Sequence, residues 1–207
     1  MTDIYLARHG KTEWNTELRM QGRLNSPLTQ EGIDGAYRLR ETIAEVIGLP
    51  SVLYSSPMPR ALQTAFIAMG GPESPARCPI IPTDLLCEMD LGIWEGMRLE
   101  DAKKSYPEEL DNFRNHPDRY VPVSGGETFH DTYARADAML SKLDWGIAGS
   151  DNDAPVLLVS HMILIQSVLC AISGGDISTL RQTPFIEQTR LIHIHGEKGL
   201  TPTVHVF

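Results

Sequence analysis

The run Val156-Leu157-Leu158-Val159 contains no polar residue and ends in Ser160 and His161. A continuous apolar run of this kind suits a strand buried on both faces, as in a parallel sheet covered by helices. Further apolar, β-branched runs at residues 4–7, 51–55, 80–81, 190–195 and 203–207 read as strands as well. Helical spacing fills the intervals. Thr29 is a fitting N-cap for Ile33, Ala36, Tyr37, Ile43, Ala44 and Ile47, and Gly48 and Pro50 end the pattern. A second helix starts near Pro59 and runs through Ala61, Leu62, Ala65 and Phe66. A third uses Phe129, Tyr133, Ala136, Leu140 and Leu143. Strands alternating with helices predict an α/β three-layer sandwich, with a mainly parallel central sheet and helices on both faces.

Residues 97–124 break the pattern, with Lys103, Lys104, Pro107, Glu108, Glu109, Arg114 and Arg119 crowded together. They predict a small helical, cap-like insertion over the active site of a single domain spanning 1–207; the alternative is a solvated surface excursion. The 207 residues are 42% hydrophobic and 22% charged, enough for one real core. A net charge of −9 argues against a general nucleic-acid or anionic-membrane surface. No apolar run approaches the roughly 18 residues of a membrane span. Cys78, Cys87 and Cys170 form no C-x-x-C and read as reduced thiols. With no basic-then-apolar leader at the start, the expected location is the cytoplasm.

Gly10-Lys11-Thr12 has the end of a phosphate-binding P-loop, but Tyr5 stands where that loop needs glycine, and no dinucleotide fingerprint occurs either. Open α/β sheets place ligands beyond the carboxyl ends of their strands. Arg8 and His9 follow the first strand, Arg60 follows the second, Glu88 comes soon after the third, and His161 follows 156–160. Two arginines and two histidines at strand ends and helix starts make an anion site, and the arginine fork matches a phosphoryl group. A neutral histidine is a competent nucleophile, and nearby arginines disfavour its charged form. A protonated Glu88 would supply the leaving alkoxide with its proton.

Arg8-His9-Gly10, with Thr12, Trp14 and Asn15, resembles the R-H-G-x-[ST]-x-W-N signature of the histidine phosphatase superfamily, which also contains the cofactor-dependent phosphoglycerate mutases. The resemblance continues through QGRLNSPLT at 21–29, YSSPMPRALQTA at 54–65, EMDLGIWEG at 88–96, GGET at 125–128 and LLVSH at 157–161. It implies phosphorylation of His9 during turnover. Arg8, Arg60 and His161 would hold the phosphoryl group, Glu88 would donate the proton, and Asn15, Gln21 and Gly22 would line the phosphate pocket. It implies no metal. Trp14 and Trp94 are expected to pack beside the site. Where the family commonly has glycine after the second histidine, this chain has Met162, which is expected to narrow the pocket or press on His161.

Hydrolysis and phosphoryl mutation share the same phosphohistidine. The mutases follow their catalytic glutamate with Arg-His-Tyr, whereas Glu88 is followed by Met89-Asp90-Leu91, and little chain lies beyond the last strand. Both features, with PFIEQT at 184–189, favour the broad-specificity phosphatase branch. The expected activity is metal-independent hydrolysis of small phosphorylated metabolites without a cofactor, by a monomer or homodimer. The alternative is a phosphoglycerate mutase dependent on 2,3-bisphosphoglycerate. A non-catalytic phosphate-binding module is the remaining reading. His193 and His195 share one strand face, and a hairpin near 197–199 would bring His205 beside them. Three histidines there suit zinc, but a solvated outer face is the expectation. His116 and His130 are expected at the surface.

Overall fold

The computed structural model describes residues 2–73, 78–143, 155–196 and 203–207. Six strands form one sheet: β1 (Thr2–Arg8), β2 (Val52–Ser55), β3 (Ile80–Pro82), β4 (Val156–Ser160), β5 (Leu191–Gly196) and β6 (Thr203–Val206). Their spatial order is β3-β2-β4-β1-β5-β6. The first four neighbours in that order pair in parallel; β5 is antiparallel to both β1 and β6. The sheet is therefore mainly parallel, as its unbroken apolar runs require. The predicted hairpin turn at 197–199 lies outside the described residues.

Helices cover both faces. On one side α2 (Gln30–Val46) and α3 (Pro59–Ala68) bury Leu39, Ile43, Ala61 and Ala65 against Tyr5, Ala7, Leu53 and Val159. On the other, α6 (Phe129–Lys142) and α7 (Met162–Ile172) bury Met139, Leu140, Leu164 and Val168 against Ile4, Leu6, Leu158 and Ile192. Alternate residues of β1 thus feed two separate cores, as the period of two demands. Thr29 caps α2 through Gly32 N, and Thr128 caps α6 in a reciprocal box with Asp131. No helix among the described residues is long and apolar enough to cross a membrane.

Three further α-helices among the described residues are short: α1 (Glu13–Thr16), α4 (Leu99–Ser105) and α5 (Pro107–Asn115). The charged segment holding α4 and α5 carries a core of its own. Trp94, Phe113, Tyr120 and Phe129 meet edge-on or tilted at 5.1–5.6 Å between ring centroids. This cluster also includes Ile163 of α7, so the segment is fastened to the sandwich by apolar contact. A solvated excursion would lack such a core.

Candidate active site

The carboxyl ends of β1, β2 and β4 converge. Arg8 is the last residue of β1, and the backbone N–H of His9 donates to Ser160 O of β4 at 2.9 Å. Arg60 lies in the first turn of α3, which follows β2, and His161 is the N-cap residue of α7 directly behind β4. Arg8, His9, Arg60, Glu88 and His161 are all buried. The His9 and His161 ring centroids lie 5.0 Å apart, tilted by 53°.

His9 Nδ1 lies 2.7 Å from Gly10 O. A carbonyl only accepts, so Nδ1 holds the ring proton and Nε2 keeps a free lone pair. Burial, then the charges of Arg60 and Arg8, hold His9 well below its ordinary pKa. His161 is held down in the same way by burial, then by Arg60, His9 and Arg8. Its Nε2 meets Ser56 Oγ at 2.8 Å, while the buried Nδ1 has no partner among the described residues. Both imidazoles are thus neutral near pH 7.

Gly10 is demanded by close approach. A Cβ there would stand 2.7 Å from Gly32 O, and its N–H donates to Thr64 Oγ1 at 2.9 Å. Thr12 and Asn15 form a reciprocal cap of α1, with Asn15 Oδ1 accepting from Thr12 N at 3.0 Å. That leaves the Asn15 amide N–H groups as its outward donors.

Arg60 ties down the loop after α1. Its Nη1 donates to Leu24 O and its Nη2 to Gly22 O, both at 2.7 Å. Gly22 has φ +51°, and a Cβ on it would collide with the Glu95 carboxylate at 2.2 Å. Glu95 in turn accepts from Arg23 N, Leu24 N and Leu91 N. Gln21 is buried, with Oε1 unpartnered. Burial pushes Arg60 down to about 10, which leaves it charged at neutral pH. Arg8 donates to Ile186 O at 2.8 Å, and the Phe185 ring lies over its guanidinium at 5.5 Å. The Nε atoms of Arg8 and Arg60 have no partner among the described residues. Glu88 accepts from Met89 N at 2.9 Å and Ile163 N at 3.4 Å. Arg135 fixes its backbone, donating to Cys87 O at 2.7 Å and Glu88 O at 3.3 Å.

Every predicted catalytic residue therefore stands in one buried cluster. Sequence reasoning missed Ser56, Thr64, Glu95 and Arg135. Ser56 follows β2 directly, so the strand-end rule that selected His161 would also have reached it; the other three carry no local signal. Met162 packs half-buried against the α6–α7 core. The three cysteines are buried and unpaired, and His116 and His130 are at the surface. Among the described residues the one cluster of metal-ligating type lies elsewhere, at Asp3, His193 and His195.

Residues 4–206 match the sequence model of the histidine phosphatase superfamily (branch 1). Phosphoserine phosphatase 1 of Hydrogenobacter thermophilus is 30% identical over 181 residues, 86% of this chain and 79% of that protein. A probable phosphoglycerate mutase, GpmB of Proteus mirabilis, is 32% identical over 177 residues, 84% of this chain and 76% of that protein. The solved structure of Bacillus stearothermophilus YhfR superposes with a TM-score of 0.84 at 34% identity, covering all of this chain and 95% of its own. Two buried arginines, two neutral histidines and one carboxylate at the ends of a parallel sheet, with this match from residue 4 to 206, place the chain in the histidine phosphatase superfamily.

Proposed function

We propose that the protein hydrolyses small phosphomonoesters through a phosphohistidine at His9, without a metal. The observation that carries this reading is the His9 Nδ1–Gly10 O contact, which leaves Nε2 unprotonated beside two buried guanidinium groups. The dianionic ester is drawn by Arg8 and Arg60 onto a site that is locally positive in an acidic chain. In the tautomer whose Nε2 accepts from the Ser56 hydroxyl, neutral His161 donates its Nδ1–H, which no described residue takes, to a phosphoryl oxygen. Nε2 of His9 attacks phosphorus in line, the P–O ester bond breaks, and Glu88 passes a proton to the departing alkoxide. Water then attacks the phosphohistidine, Glu88 takes back a proton, and phosphate leaves. Covalent catalysis at His9 splits the hydrolysis into two steps, and preorganised charge and positioning lower the barrier of each.

Asn15, Gln21 and Gly22 complete the phosphate pocket in this reading. The segment 97–124 acts as a cap whose position is set partly by Arg181, which donates to Gln166 Oε1 of α7 and Phe113 O of α5. Hydrolysis is favoured over mutation because nothing just after Glu88 grips a second anionic group. Met89 and Leu91 are buried, and Asp90 is acidic and accepts from Gly92 N. The working setting is cytoplasmic, with a small phosphorylated metabolite as partner.

The test is rapid acid-free quenching of the enzyme with a ³²P-labelled phosphomonoester in EDTA. Base-stable, acid-labile label on wild type, absent from His9→Ala, supports the reading. Turnover that needs added metal, or that survives in His9→Ala, overturns it. Conversion of 3- to 2-phosphoglycerate that outpaces phosphate release when 2,3-bisphosphoglycerate is added makes the protein a mutase.

A further inference from the structure

At the opposite end of β1 from His9, three side chains converge on one point. His193 Nε2 lies 2.8 Å from Asp3 Oδ1, and His195 Nδ1 lies 2.7 Å from the same oxygen. One ligand atom from each residue falls within 4.8 Å of the other two. The antiparallel register sets this up. Asp3 stands opposite His195 and Tyr5 opposite His193, so all four side chains share the sheet face on the α2 side. His193 is further held between two rings: Tyr5 stacks on it at 4.5 Å and 9°, and His205 of β6, its cross-strand partner, lies at 6.1 Å and 27°. The expected solvated face thus carries an ordered constellation.

We propose that Asp3, His193 and His195 form a binding site for a borderline divalent transition-metal ion, of which zinc is the type, separate from the catalytic centre. Two imidazole nitrogens and a carboxylate oxygen are the ligand set such ions prefer. With bonds of about 2.0–2.1 Å, neighbouring tetrahedral ligand atoms sit roughly 3.3 Å apart, so the contacts at 2.7–2.8 Å need open by only about 0.5 Å. The ion takes the place of the protons now shared with Asp3 Oδ1, so each imidazole coordinates as the neutral base. The side chains of Asp3 and His195 are 44% and 43% exposed and that of His193 is 21% exposed, so an ion can enter and water can fill the fourth position. Rigid strands supply all three ligands, which limits the ordering cost. The site lies about 17–20 Å along β1 from His9, too far to touch the ester. Its effect is to clasp the first strand to β5, joining residues 190 and 192 positions apart.

The experiment is calorimetric titration of zinc chloride into tag-free, EDTA-stripped protein at pH 7.5, in a buffer that does not chelate. One equivalent is expected to bind with micromolar affinity. Asp3→Asn and His195→Gln are expected to weaken binding at least about tenfold while leaving p-nitrophenyl phosphate hydrolysis unchanged. At a hundredfold excess over Kd, zinc is expected to raise Tm by roughly 5–10 °C. Imidazole NMR of the wild type supplies an independent readout: zinc should shift His193 and His195 first, and this stands even if a variant folds poorly. The proposal is overturned if wild type binds no zinc below millimolar, if both variants bind as well as wild type, or if vanadate competes zinc away, which would put the ion on His9 and His161.

Discussion

His9 Nδ1 and Gly10 O, 2.7 Å apart, fix the tautomer of the buried imidazole and leave Nε2, the nitrogen proposed to attack, unprotonated. The lone pair on Nε2 is available without prior proton removal because burial and the two arginines keep the ring neutral. His9→Ala is therefore expected to lower kcat by at least about 10³-fold with the fold intact, measured as phosphate release alongside far-UV circular dichroism. A loss under tenfold would mean that another group attacks.

The neutral histidines also give stability a pH dependence with a definite sign. Above the unfolded value of about 6.5, His9 and His161 are uncharged in both states. Below it the unfolded chain takes up protons that the folded chain refuses, because both folded values lie well below 6.5. Stability should therefore fall with pH in this window, by up to about 1.4 kcal/mol per unit for each histidine. Urea midpoints at pH 7.5, 6.5 and 5.5 measure it, and His9→Asn should make the slope shallower. A flat profile from 7.5 to 5.5 contradicts neutral burial.

Arg60 spans two carbonyls of the loop after α1 with separate guanidinium nitrogens. Lysine keeps the charge but cannot bridge Gly22 O and Leu24 O in that fork. Arg60→Lys is expected to reduce kcat/KM by about 10²–10³-fold, the scale of losing one preorganised donor at a transferring group. Steady-state kinetics on a phosphomonoester decide this; near-wild-type values would show that charge alone suffices.

Glu95 holds the same loop from the other side through Arg23 N and Leu24 N. Glu95→Ala removes those acceptors but touches no reacting atom. KM is expected to rise about tenfold with kcat nearly kept, because ground state and transition state lose the same positioning. An equal fall in kcat and kcat/KM would assign Glu95 a transition-state role.

Met162 packs half-buried on the α6–α7 core. Restoring glycine there should lower unfolding free energy by about 1–3 kcal/mol, from lost apolar contact and helix propensity. The kcat of Met162→Gly should stay within threefold of wild type. A large gain in kcat would instead show that Met162 obstructs the site.

Much of this protein follows from local pattern. The unbroken run of β4 requires cover on both sides, the caps at Thr29 and Thr128 start their helices, and strand-end placement selects Arg8, His9, Arg60 and His161. Glu88 follows the third strand in the same way, whereas Asn15, Gln21 and Gly22, proposed to line the phosphate pocket, are named only through the ordered motifs. Tertiary structure decided what depends on contacts between distant segments. Glu95 and Arg135 act through backbone groups, which leave no mark on residue type. The direction taken by Met162 depends on where α6 lies. The two histidines of β5 look like an ordinary polar face until the antiparallel register sets Asp3, 190 residues away, against both of them. A residue's chemistry is written in its own position, but its partners are set by how the sheet closes, and that is a property of the whole chain.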